Sequence, residues 1–180
     1  IKAPPSRTTV GDYNGLCILV DFPDEPGTIP QSEVDAYCNQ PSGYTNYNNA
    51  CSINEYYNIQ SEGKFNFTNT VTAYVTMPKN KSYYDNNQDQ NWGSATSQEL
   101  VAEALDILIA EGFDFTQLST DASGYIYSIN VFYAGTCASS WSKGLWPHSW
   151  AIPQKTVDAA NGIVAYRYQM TDMESNLSIG

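Results

Sequence analysis

The sequence predicts an α/β (α+β) domain in which a sheet is backed by one long helix. Three observations carry this expectation. Apolar runs of strand length recur along the chain, one stretch carries a helical stripe behind capping residues, and no repeat, low-complexity tract or linker separates them. With 180 residues the chain fits one domain over 1–180, burying about two-thirds of the surface its unfolded form exposes.

GLCILVDF, residues 15–22, is a short apolar run rich in strand formers and closed by the turn residues PDEPG, which suits a buried strand near the centre of a sheet. IPQSEVDAYC, residues 29–38, supplies a short helix. A second helix starts at Ser52, where Ser52 and Glu55 have capping-box spacing ahead of Ile53, Tyr56 and Tyr57, and Gly63 ends it. Over residues 65–75 apolar and polar residues alternate, with Phe65, Phe67, Val71, Ala73 and Val75 on one face and Asn69 the exception. Residues 79–95 are dense in Asn, Asp, Gln and Gly and read as a long surface loop. The clearest element follows: Thr96 and Glu99 frame a capping box, Leu100, Val101, Ala104, Leu105, Leu108 and Ile109 form one stripe, and Gly112 stops a helix over 97–111. Further strands are expected over 126–134 and 163–169, the last with Arg167 on its polar face.

Acidic residues outnumber basic ones, 19 to 8, for a formal charge of −11, which repels a nucleic-acid backbone and excludes that partner class. No apolar run reaches the roughly 18 to 20 residues that a membrane-spanning helix needs. Scarce lysine with abundant Tyr and Asn suits an exported protein whose surface is acidic, aromatic and amide-rich. Four cysteines, Cys17, Cys38, Cys51 and Cys137, lack any C-x-x-C pair and read as disulfides rather than a zinc ribbon. Cys38 with Cys51 is the preferred pair because both flank a turn-rich segment, leaving Cys17 with Cys137; buried free thiols are the alternative.

The single histidine, His148, lies in SKGLWPHSW and reads first as a hydrogen-bonded residue in an aromatic corner with Trp146, Pro147 and Trp150. Ser142 and Ser149 lack the G-x-S-x-G turn of a hydrolase nucleophile, and neither H-E-x-x-H nor a cysteine cluster offers zinc its ligands. Asp21, Asp24 and Glu25 read as solvated turn formers after the first strand. Residues 119–126 keep the spacing of a calcium loop, with Gly124 at position six and Ile126 at eight, yet Asp121 is its only carboxylate. One charge is too little to outcompete calcium's hydration, so this remnant is expected to be empty.

The succession GLCILVDFPDEP, EVDAYCNQPSGYTN, INEYYNIQSEGKFNFTNTV, QELVAEALDILIAEGFDF, DASGYIYSINVFYAG and SKGLWPHSW resembles the N-terminal part of the catalytic domain of secreted zinc metallopeptidases of the immune inhibitor A family. The resemblance implies a zincin-like upper subdomain, a twisted mixed sheet backed by the 97–111 helix. It implies a zinc cofactor held by an H-E-x-x-H helix that would follow Gly180, a protein or peptide substrate, and a C-terminal half of the same protein as partner. It also implies that a loop with Ser119, Ser123 and Tyr127 at the family's carboxylate positions persists because Gly124 and Ile126 still steer the chain into a central strand. The strand IVAYRYQM and the loop before it are then expected to wall a substrate cleft, which makes Trp146, His148 and Arg167 its candidate residues. The isolated chain is expected to be inactive. A non-catalytic extracellular binding or assembly module built on the same fold is the competing reading.

Overall fold

The computed structural model describes residues 9–86, 95–138 and 143–173. Ser142 and residues 87–94 of the expected surface loop lie outside the described residues. Five strands, β1 (Gly11–Asp21), β2 (Phe65–Thr76), β3 (Ile129–Ala134), β4 (His148–Asp158) and β5 (Ile163–Met173), form a mixed sheet in the order β2-β1-β3-β5-β4. Strand β1 runs parallel to β2 and β3, β3 runs parallel to β5, and β4 is antiparallel to β5 at one edge. Sequence patterning locates four of these strands and misses β4. Its sequence HSWAIPQKTVD contains Pro153, and its pairing with β5 is broken between Ala151 and Lys155, so no clean two-residue period survives.

The helices are α1 (Gln31–Asn39), α2 (Ile53–Gln60), α3 (Lys81–Tyr84) and α4 (Ala95–Ala110). The β1-to-β2 connection carries α1 and α2, and the β2-to-β3 connection carries α4. These crossovers step in opposite directions across β1, so right-handed connections place their helices on opposite faces of the sheet. The core divides accordingly. Leu16, Ile18 and Val20 of β1 pack with Leu100, Val101, Ala104, Leu105 and Leu108 of α4, while Cys17 and Leu19 pack with Val34, Tyr37 and Cys38 of α1.

Several local expectations change in the fold. Ile109 is exposed at one margin of the α4 stripe, whereas the partly buried Ile107 packs at the opposite margin. Thr96 lies within α4 and donates its hydroxyl to the Tyr84 carbonyl (2.8 Å), and Glu99 accepts from Lys79 (2.5 Å), so no capping box joins them. At α2 half of the expected box forms: Ser52 Oγ accepts from the Glu55 N–H (2.9 Å), while Glu55 accepts from the Gly43 N–H instead. Strand β2 carries a bulge opposite Ile18, where the register passes from Cys17↔Val71 to Leu19↔Tyr74. Val71 and Val75 therefore face opposite layers and Ala73 is exposed, and Thr72 Oγ1 accepts the Leu19 N–H at 3.1 Å in place of a ladder carbonyl. Asn69, the polar exception, is buried and accepts a hydrogen bond from Asn130 Nδ2 at 2.8 Å.

No two of the four cysteines lie at disulfide distance, so neither the expected Cys38–Cys51 nor the Cys17–Cys137 bridge is formed in this structure. Cys17 belongs to the α1 layer and Cys137 packs against the α4 layer, with the sheet between them. Cys38 shares the α1 layer with Cys17, and Cys51 stands half-buried at the surface.

The segment Ser119–Ile126 acts as a clasp between strands. Ser119 exchanges hydrogen bonds with Asn14 at the start of β1, its N–H donating to the Asn14 carbonyl and its hydroxyl accepting the Asn14 N–H, both at 2.9 Å. Val164 of β5 donates to the Gly124 carbonyl (2.9 Å) and accepts from the Ile126 N–H (3.0 Å). Asp121 Oδ1 accepts from the N–H groups of Ser123 (2.8 Å) and Tyr125 (3.0 Å), so the lone carboxylate stabilises the turn itself. Gly124 has φ +84°, and a Cβ there would lie 2.1 Å from the Gly162 carbonyl oxygen. Gly124→Ala is therefore expected to cost at least about 2 kcal/mol, seen as a lower urea midpoint; an unchanged midpoint would show that the clasp does not hold β5 to β1.

Candidate functional site

Strand β5 is interior, flanked by β3 and β4, so the open edge of the sheet on this side belongs to β4 rather than to IVAYRYQM. By this ordering the tail of SKGLWPHSW, the loop expected to wall a cleft with β5, becomes the first residues of the edge strand itself. His148, at the start of β4, is half-buried. Its ring stacks on Trp146 with centroids 5.4 Å apart and planes 18° apart, and meets Tyr168 edge-on.

The hydrogen bonds of His148 fix its tautomer. Nδ1 lies 2.5 Å from the Trp146 carbonyl oxygen, which can only accept, so Nδ1 carries the proton. Nε2 is then the acceptor for the Tyr168 hydroxyl at 2.9 Å, and that oxygen lies 3.2 Å from the hydroxyl of the fully buried Ser97 in the first turn of α4. Burial holds the imidazole below its ordinary range, opposed by the bond to the Trp146 carbonyl, and burial pushes the Tyr168 phenol up to about 12. The relay Ser97–Tyr168–His148–Trp146 thus joins α4, β5 and β4 through neutral groups. Ser97 has no exposed surface from which to attack a substrate.

Beside this relay a cleft of about 920 Å³ opens on the α1/α2 side of the sheet. Its wall is a continuous run of ring contacts: Tyr127 on Tyr13 (5.1 Å), Tyr13 on Phe65 (5.4 Å), Phe65 on Tyr57 (5.5 Å) and Tyr57 on Phe67 (5.7 Å). Among the described residues no Asp, Glu, Lys, Arg or His lines it, in a chain of formal charge −11. The Tyr37 hydroxyl, buried at the cleft, has no hydrogen-bond partner among the described residues. A smaller hollow of about 250 Å³ adjoins it, sharing Ile53 and Gln169 and bounded by Phe132, His148 and Thr171.

Of the residues expected to wall a cleft, only His148 lines one. Trp146 stacks beside it, and Arg167 is exposed with its guanidinium 5.7 Å from the Tyr166 ring, lining neither hollow. The aromatic wall went unread in the sequence. Its signal was the pair Phe65 and Phe67 next to Tyr56 and Tyr57, but the parallel register that sets Tyr13 beside Phe67 brings together residues 54 positions apart. A zinc ion does not fit the described residues, among which no three His, Cys, Asp or Glu side chains converge.

A sheet of four parallel strands ending in one antiparallel edge strand, with a long helix on one face, is compatible with the α+β architecture of zincin-like peptidase domains. Comparison with known proteins gives the family. The immune inhibitor A peptidase M6 catalytic domain matches residues 7–130, and the chain belongs to that family. Immune inhibitor A of Bacillus thuringiensis subsp. alesti is 22% identical over 86% of this chain and 29% of its own length. The pre-pro-metalloprotease PrtV of Vibrio cholerae serotype O1 is 31% identical over 52% of this chain and 12% of its own length. The chain thus spans less than a third of the relatives it matches. The family match ends at Asn130 in β3, so β4 and β5, with His148 and Tyr168, lie beyond it, while Ser97 lies within it.

The depressed His148 basicity gives a signed pH dependence. The unfolded chain binds this proton near pH 6.5 and the folded chain only at lower pH, so the unfolded state carries more protons in between and stability falls as pH drops below about 6.5. Urea midpoints measured from pH 7 to 5.5 are expected to fall more steeply for the parent protein than for His148→Gln. A parent protein that gains stability over the same range would show the imidazolium to be the favoured buried form.

Proposed function

We propose that this chain is the N-terminal part of the catalytic domain of a secreted zinc endopeptidase, folding as one unit over residues 1–180. Membership of a peptidase family is the observation that carries this reading. The edge strand β4 supports it: its outer side is unpaired among the described residues, and its first four residues keep an unbroken ladder to β5, from His148↔Met170 to Ala151↔Arg167. An extended peptide can add to such an edge as a further strand, with main-chain hydrogen bonds giving affinity and side-chain contacts giving selectivity. Trp150, exposed on this segment, offers a face for a substrate side chain. Trp146 and His148 then support the start of the strand, and Arg167 on the neighbouring strand gives an acidic protein a local cation.

The zinc and its ligands belong, in this reading, to a later segment of the same protein. The charge-free aromatic cleft and the hollow beside it form the seat for that segment. They follow β3 and β5 on the face that α4 does not cover, and the relatives are more than three times as long as the stretch matched here. Burying exposed Tyr56, Tyr57 and Tyr127 there would remove an apolar patch from water. Export fits the acidic, lysine-poor, amide-rich composition.

The test compares residues 1–180 with the complete protein on an unstructured protein substrate, with zinc and with chelator. Chelator-sensitive cleavage is expected from the complete protein and none from residues 1–180. Cleavage by residues 1–180 that disappears in His148→Ala would instead make this histidine a metal ligand and overturn the assignment. In the complete protein Trp150→Ala is expected to raise KM about tenfold with kcat little changed; an unchanged KM removes β4 as the substrate edge.

A further inference from the structure

The thiols of Cys17 and Cys38 are brought together by a fixed helix. Cys17 is the second of five consecutive residues of β1 with no exposed surface, and Cys38 sits in the last turn of α1, equally buried. Helix α1 is clipped to β2 at both ends. Gln31 Nε2 donates to the Val71 carbonyl at 2.9 Å; Asn39 Nδ2 donates to the Asn69 carbonyl at 2.8 Å, and Asn39 Oδ1 accepts the Asn69 N–H at 2.7 Å. Val71 is the residue across the ladder from Cys17, so these clips hold the helix on β2, one strand over from Cys17. The two thiols share one buried core layer with Leu19, Val34 and Tyr37, and the nearness of Cys38 is the largest cause raising the Cys17 thiol above its ordinary range. Neither remaining cysteine is as well placed: Cys137 packs on the far side of the sheet, and Cys51 lies at the open cleft.

We propose that Cys17 and Cys38 are a disulfide-forming pair that locks α1 onto β1 when the chain folds in an oxidising environment. Two thiols lose two protons and two electrons to form one S–S bond, and a small-molecule disulfide such as oxidised glutathione takes the electrons and becomes two thiols. The route is thiolate attack through a mixed disulfide. The nearness of Cys38 and burial push the Cys17 thiol well above its ordinary range, and both thiols are closed off from solvent, so the exchange belongs to the folding chain, before α1 closes over the sheet. Once closed, the bond is shielded from reductant by the layer that contains Val34, Tyr37 and Phe132. This assignment does not depend on the peptidase reading.

The test refolds residues 1–180 from denaturant in a mixture of oxidised and reduced glutathione, then counts alkylatable thiols under denaturing conditions and maps crosslinked peptides without reduction. Two free thiols and one peptide pair joining Cys17 to Cys38 are expected, with a melting temperature that falls by roughly 5–10 °C after full reduction. The double variant Cys51→Ser/Cys137→Ser should keep both the crosslink and the reductant-sensitive melting, and Cys38→Ala should lose both. Four free thiols after oxidative refolding, or a peptide joining Cys38 to Cys51, overturns the proposal. The peptide map of the parent chain decides the matter even if a variant fails to fold.

Discussion

Five consecutive residues of β1, Leu16 to Val20, are wholly withdrawn from solvent, and their alternation divides the molecule into its two layers. Leu16, Ile18 and Val20 point to α4, and Cys17 and Leu19 point to α1. At roughly 1.5–3 kcal/mol for each large apolar side chain buried, this one strand contributes on the order of 10 kcal/mol of gross hydrophobic stabilisation before conformational entropy is set against it. A strand of this kind cannot lie at an edge or face water on either side. It demands a neighbour on each flank and a helical layer on each face, and the rest of the fold supplies them.

The joints between these parts are polar. The Ser119–Ile126 clasp ties the beginning of β5 to the beginning of β1, the Asn39–Asn69 and Gln31–Val71 bonds fix α1, and the Ser97–Tyr168–His148 relay fixes α4 against the edge hairpin. The clasp and the α1 bonds meet backbone groups that the regular ladder leaves unpaired, the relay pairs buried side-chain groups with one another, and leaving any such group buried without a partner costs more than the bond contributes when made. The clasp explains why a calcium-type loop outlives its carboxylates. Its work is carried by backbone hydrogen bonds, by one carboxylate on the turn and by the absence of a Cβ at Gly124.

The chemistry is distributed unevenly. On the α4 side the sheet is fully covered, whereas on the α1/α2 side the helices cover β1 and β2 and leave an aromatic, charge-free cleft extending toward β5. Among the described residues of this acidic protein only Tyr and Cys bring ionisable side chains to the cleft, which suits it to uncharged, apolar contact. That segregation agrees with a domain whose remaining parts pack onto this face, and the edge strand beside it is where an extended chain can join.

What the sequence by itself determined was the α/β class, the long α4 helix and the buried character of β1 and β3, because these depend on local periodicity and on apolar runs that are legible residue by residue. It also carried the family, through the succession of motifs up to residue 130. Tertiary structure alone decided the rest. The β2 bulge turned Val71 and Val75 to opposite layers, Pro153 hid an edge strand, and the parallel register put Tyr13 beside Phe67. The cysteines show the limit most plainly: loop spacing favoured Cys38 with Cys51, but a strand's alternation and a helix's orientation put Cys38 in the same buried layer as Cys17, because which side chains share a layer is fixed by the face each element presents and not by their separation along the chain.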